Sequence, residues 1–170
     1  MTPGEIAQAV QNIPLFTAIR ESGLPYPIIL STHLSCIAVF GGLILMSDLR
    51  LLGLALTGVP VSEVLLRTRP WKRVGFVIMV TCGILLGGAK LFNYYDNPYF
   101  DVKMTLLAMV GVHAIAFHRS VYANPRKLDG LTPMPRAAKA AGLISIMLWV
   151  GILSMGRWIA YFERPDSYPH

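Results

Sequence analysis

The sequence predicts an all-α protein, a four-helix transmembrane bundle with an N-terminal interfacial amphipathic helix. Three observations predict it. Hydrophobic residues make up 54% of the chain and charged residues only 14%, where a soluble domain carries about 25% charged residues. The apolar residues fall into four blocks, each close to the roughly 20 residues a helix needs to cross a bilayer. Charged and proline-containing stretches separate the blocks, as connections outside the hydrocarbon do. A length of 170 residues suits one bundle.

Residues 1–23 hold the segment "PGEIAQAVQNIPLFTAIRESG", too polar to span. Ile6, Val10 and Ile13 recur at helical spacing, and Phe16 and Ile19 continue the stripe past a bend at Pro14. This reads as a broken helix lying on a membrane surface, with packing on the bundle cap as the other reading. The segment lacks the basic start and continuous apolar core of a cleavable leader. The membrane domain occupies 24–162, with spans expected at 26–46, 74–92, 102–121 and 138–161; the first can continue helically through "SDLRLLGLAL". Residues 163–170 form a tail ending in His170, where order is not expected.

Lysine and arginine set the orientation. Arg50, Arg67, Arg69, Lys72 and Arg73 lie between spans one and two, and Arg119, Arg126, Lys127, Arg136 and Lys139 surround the connection from three to four. The acids Glu5, Glu21, Asp96, Asp101, Glu163 and Asp166 concentrate on the opposite side. Both basic connections are therefore expected in the cytoplasm, with both termini outside. "FNYYDNPYF", with Asn97-Pro98 as its turn signal, and Trp158, Tyr161 and Phe162 are expected at the outer interface and Trp71 at the inner one. The net charge of +6 flanks apolar blocks and forms no single stripe, so no nucleic acid is expected as a partner. Cys36 and Cys82 lie inside apolar blocks and read as small packing residues.

Ionisable residues within spans are candidate functional groups. His33 and His113 stand on different spans, about 10 Å and 16 Å from their starts at 1.5 Å per residue. They are the candidate axial ligands of a haem b held between helices. Lys90 and Arg157, near the outer ends of spans two and four, are the candidate partners of its propionates, although both can also snorkel to the interface. Gly41, Gly42, Gly83, Gly87, Gly88, Gly111, Gly151 and Gly156 leave room for a macrocycle or for close helix packing. His118 points about 140° away from His113 on a helix and reads as an interfacial cap beside Arg119. Asp48 is expected to pair with Arg50, Lys72 or Arg73. Copper held by His33 with methionine or cysteine is the competing metal reading. No carboxylate pair, phosphate loop or nucleophile–base arrangement suggests hydrolysis.

The stretches "THLSCIAVFGGLILMSDLRLLGL" and "NPYFDVKMTLLAMVGVHAIAFHRSVY" resemble a pattern of uncharacterised four-helix bacterial membrane proteins, distantly similar to the membrane domain of copper-resistance protein D. The resemblance covers about residues 26–122 and implies a four-span protein of a bacterial inner membrane, which makes the outer side, and with it both termini, periplasmic. It also implies asparagine at the place of His113 in many members, with histidine at the places of His33 and His118. A haem with two histidine ligands would then be a specialisation of this chain.

The expected function is a b-type membrane cytochrome or haem-bearing subunit that carries electrons, with a quinone or a periplasmic redox protein as partner. A copper-handling protein and a non-catalytic assembly subunit are the alternatives. The chain is expected to form a homo-oligomer or to join a larger membrane complex.

Overall fold

The structure, a computed structural model, describes residues 2–162; the tail at 163–170, with His170, lies outside the described residues. Seven α-helices and no strand occur among the described residues: α1 (Pro3–Gln11), α2 (Pro14–Glu21), α3 (Pro25–Leu52), α4 (Val61–Ala89), α5 (Leu91–Tyr94), α6 (Pro98–Ala116) and α7 (Arg136–Trp158). Four of them, α3, α4, α6 and α7 with its 3₁₀ extension, are long and apolar enough to cross a membrane.

The helix ends follow local chemistry. Thr2 caps α1 in a reciprocal box with Glu5, ahead of Pro3. The preset φ of Pro14 starts α2 and breaks the N-terminal segment in two. α1 and α2 pack on the ends of α3, α4 and α5. Gln11 Oε1 accepts from the Phe92 amide at 2.9 Å, and Phe16 lies against Gly88. The buried residues here are Ala7 and Ile19, while Ile6 and Ile13 stay exposed. The packed face is thus not the Ile6–Val10–Ile13 stripe, which the sequence marks only as apolar.

The spans differ from their expected bounds wherever helix outlasts hydrophobicity. α3 runs on to Leu52 and stops at Gly53, whose φ of +77° is left-handed. α4 starts thirteen residues before the expected Val74. Val61, Val64, Leu65 and Thr68, spaced three and four apart, bury one face of that extension. α6 is shorter, ending at Ala116, and His118–Tyr122 form a wider π turn. That turn delivers Val121 to the core and leaves His118, Arg119 and Ser120 exposed.

α3 and α7 form the central pair, with α4 packed on α3 and α6 on α7; α4 and α6 make no comparable contact with each other. The bundle is therefore not sealed by helix packing between α4 and α6. The tight core lies at the end that carries the basic connections, hereafter the basic end. There Leu51, Val61, Val64, Leu65, Val121, Leu128, Ala138 and Ala141 pack together. Elsewhere the helices expose rows of Val, Ile and Leu, and α6 buries no residue. Such rows suit helices surrounded by lipid, where the backbone groups are satisfied within each helix.

The opposite, aromatic end is held by ring contacts. Tyr99 stacks on Trp158 with centroids 5.8 Å apart, and Tyr94 stacks on Phe100 at 5.5 Å. Asn97 is buried and caps α6, accepting from the amides of Tyr99 (3.0 Å) and Phe100 (3.4 Å) while donating to Ile159 O. The Asn97-Pro98 pair that reads as a turn in the sequence is thus a helix cap with proline at the first helical position.

Candidate functional site

α3 and α6 each carry an inward stripe that includes buried or half-buried polar residues. On α3 the stripe contains His33, Cys36, Phe40, Ser47 and Leu51, all at least partly buried. On α6 it contains Lys103, Leu106, Val110 and His113. Spacings of three, four and seven residues put each set on one helical face. Antiparallel packing then sorts the polar members into two clusters, one towards each end.

The first cluster lies towards the aromatic end. His33 faces α4, where a Cβ on Gly83 would sit 3.4 Å from the imidazole Cε1. The ring occupies the space that glycine leaves, beside the Met79 backbone carbonyl. Its Nδ1 is buried and has no hydrogen-bond partner among the described residues. Lys103 of α6 is the cation that acts on this ring. Its Nζ would lie 3.6 Å from a Cβ on Gly156 of α7. Four helices thus build a small polar recess from one imidazole, one ammonium and two glycines. Nearer the aromatic end, the Lys90 ammonium lies 4.5 Å above the Tyr26 phenol ring. Burial and the neighbouring Tyr26 phenol push the Tyr94 hydroxyl up to about 12.

The second cluster lies at the basic end. Asp48 is 3% exposed; it interacts with Ser145 of α7 and Lys72 of α4. Lys72 Nζ donates to Ser47 Oγ at 2.6 Å, and Ser47 lies 3.5 Å from Thr68 Oγ1. Oδ2 of Asp48 is buried without a hydrogen-bond partner. Arg69 donates to Tyr122 O at 2.5 Å. Burial, then the charge of Asp48, lifts the Tyr122 phenol above its usual range. Of the three partners expected for Asp48, the fold selects Lys72. Arg50 instead donates to Val59 O at 2.7 Å.

His113 belongs to this second cluster. Its Nε2 lies 3.0 Å from Ala141 O, and its ring packs on Phe117 and Tyr122. Ala141 precedes Gly142, where an added Cβ would approach Asp48 O to 2.8 Å. Ten residues separate His113 from Lys103, the partner of His33, which is roughly 15 Å along α6. Two axial ligands of one iron must face each other across it, so the His33–His113 pairing does not fit this fold. The physical reason lies in the helix starts. α6 begins at Pro98 and α3 at Pro25, which carries His113 deeper relative to His33 than counting from the apolar blocks suggests.

The expected propionate partners are also engaged elsewhere. Lys90 covers Tyr26, and Arg157 Nη2 donates to Tyr161 Oη at 2.6 Å. Lys103, whose charge acts on His33 instead, was legible as a member of the same helical face as His113. His118 is exposed beside Arg119. Several of the glycines serve helix contacts: Gly75 meets Phe40, Gly83 meets His33, Gly142 meets Asp48 and Gly151 meets Leu106. Cys36 donates to Gly75 O at 3.1 Å and Cys82 is buried. Among the described residues no group of three or more His, Cys, Asp or Glu side chains is arranged to hold a metal ion.

Comparison with known proteins adds one finding. A model for a family of unknown function, DUF6644, matches residues 22–162. The chain belongs to the DUF6644 family. The match takes in both polar clusters and leaves out α1 and α2, so the recess and the Asp48 network lie within the DUF6644 unit and the N-terminal cap precedes it. No curated protein and no solved structure matches the chain.

Proposed function

We propose that this DUF6644 protein is a four-span protein of a bacterial inner membrane, both termini periplasmic, that binds a lipid-soluble ligand with an anionic or carbonyl head group. His33 and Lys103 hold the head. A quinone has this chemistry, which keeps the protein within electron transfer. The observation that carries the reading is the buried, unpartnered His33 Nδ1, with the charge of Lys103 acting on the same ring. An unsatisfied buried polar atom costs about 1–3 kcal/mol, and a ligand oxygen between imidazole and ammonium would offset that cost. Supporting it further, α4 and α6 do not close on each other, which leaves a lateral approach from lipid. In this reading α1 and α2 lie at the periplasmic interface, with Ile6 and Ile13 turned to lipid.

A haem b with His33 as its one protein ligand is the second reading. The same free Nδ1 favours it, with Lys103 taking over the propionate role expected of Lys90 and Arg157. Haem would supply one-electron chemistry. One preparation separates the two readings. Protein purified from membranes is expected to yield a quinone or an acidic lipid on solvent extraction, and to bind a short-chain quinone. Binding is expected to weaken about tenfold or more in His33→Ala and in Lys103→Met, with helical content unchanged. A Soret band lost in His33→Ala would replace the quinone by haem. Stoichiometric copper would turn the site to metal handling. A colourless, metal-free preparation with no extractable ligand and no quinone binding would remove the binding proposal and leave an assembly subunit, tested by co-purification with partners or with a second copy.

A further inference from the structure

We propose that the basic end carries a separate binding site for a phosphate ester. A cavity of about 460 Å³ opens there between the α3–α4 turn and the segment that leads into α7. Sites for small molecules range from about 300 to 1,000 Å³. Two cations line this one, Arg50 and Lys139, against one acid, Asp129.

Arg50 is the anchor. It is 8% exposed, and its Nε donates to Val59 O at 2.7 Å, which fixes the plane of the guanidinium. Neither Nη makes a hydrogen bond among the described residues, and Arg50 lines the cavity, so the outer edge of the fork is left for a ligand. Two coplanar donors on a rigid fork are the geometry that takes a phosphate bidentately. Asp129 does not occupy that fork. Its Oδ1 accepts from the Ser62 amide at 2.9 Å and its Oδ2 from Ser62 Oγ at 2.6 Å. The carboxylate thereby ties the cavity wall to the start of α4, and its charge reaches Arg50 only at longer range. Lys139, in the first turn of α7, has an exposed side chain that can close over a bound anion. Gly53 and Gly130 turn the walls with φ of +77° and +74°. A Cβ on either would meet nothing within 4 Å, so the space there is open.

The shared chemistry is a phosphate monoester, from a soluble molecule or from a phospholipid head group at the interface. None of these residues touches the His33–Lys103 recess, so the two proposals fail independently. The test uses the full-length, delipidated protein in neutral detergent. Glycerol 3-phosphate and phosphatidic acid in mixed micelles are the probes, and glycerol and diacylglycerol their uncharged counterparts, titrated by calorimetry. Binding of either phosphate probe is expected, and no binding of its uncharged counterpart. Arg50→Gln is expected to weaken binding about tenfold or more, with Arg50→Lys in between because it keeps the charge and loses the fork. Lys139→Gln changes an exposed side chain and keeps the fold; a loss of about threefold is expected, growing smaller as salt is added. Binding of glycerol 3-phosphate identifies a soluble ligand, and binding of phosphatidic acid alone a lipid head group. No binding of either phosphate probe, equal binding of the uncharged counterparts, or affinity unchanged in every folded variant would overturn the site.

Discussion

At the scale of single residues, the unusual feature is how many charged side chains sit between apolar helices with incomplete pairing. Asp48 is the clearest case. It is nearly inaccessible, it shares Ser145 and Lys72 as neighbours, and one of its oxygens lacks a partner. Removing one member of a buried pair strands the other charge and costs about 3–5 kcal/mol, whereas replacing both can be close to neutral. Lys72→Met and Asp48→Asn are therefore expected to destabilise strongly as single substitutions. The double variant should recover most of the loss, read by unfolding in a denaturing detergent titration. Additive losses would show that Lys72 acts through Ser47 alone. Gly142 belongs to the same network, since its missing side chain lets α7 approach the Asp48 carbonyl and brings Ser145 within reach.

At the scale of elements, two connections determine how the long helices meet. Asn97 caps α6 and reaches Ile159 beyond α7, so one side chain joins the spans that form the α6–α7 pair. Loss of an N-cap side chain costs about 0.5–2 kcal/mol. Asn97→Ala is expected to reach at least the upper part of that range, because it also removes the bond to Ile159. Asn97→Asp keeps the cap acceptor but not the donor to Ile159, and should fall between. Thermal unfolding of the three proteins in one detergent checks the order. Asp129 plays the corresponding part at the basic end. The hydrogen bonds from the Ser62 hydroxyl and amide hold its carboxyl below the ordinary carboxylate range. A carboxylate whose folded pKa is depressed stabilises fully above its unfolded value, near 3.9, and that contribution is lost as pH falls through the lower folded value. Amide-exchange protection of the connection before α7 should thus be flat from neutral pH down to about 4 and fall below it. Asp129→Asn should remove that step and leave the rest of the profile unchanged.

At the scale of the whole molecule, charge asymmetry and packing asymmetry coincide. The compact core, the cavity lined by Arg50 and Lys139, and the Asp48 network gather at the basic end. The aromatic end carries ring contacts, the N-terminal cap and the His33 recess. If the positive-inside rule sets the orientation, a cysteine at Thr57 reacts with an impermeant thiol reagent only from the cytoplasmic side of sealed vesicles. A cysteine at Asp96 then reacts only from the other side, with Cys36 and Cys82 replaced by alanine in both proteins. Labelling of both positions from one side would reject four crossings, and the reversed pattern would invert the protein.

Much of the architecture was legible in the chain because membrane helices are written in composition. Long apolar blocks, basic flanks and interfacial rings each follow from the cost of placing polar groups in hydrocarbon, and that cost needs no knowledge of neighbours. The same local logic located Asn97-Pro98 and the break at Pro14, and it picked out His33 as a side chain out of keeping with its surroundings. What composition does not carry is depth and rotation. Helices that begin at Pro98 and at Val61 shift every residue relative to its counterpart across the bundle. Where α6 and α3 sit therefore decided that the charge of Lys103 acts on His33 and that His113 meets Ala141. An imidazole in the sequence is only a capacity for bonding; its partner is chosen by which helices pack together and at what register, and those are properties of the assembled bundle.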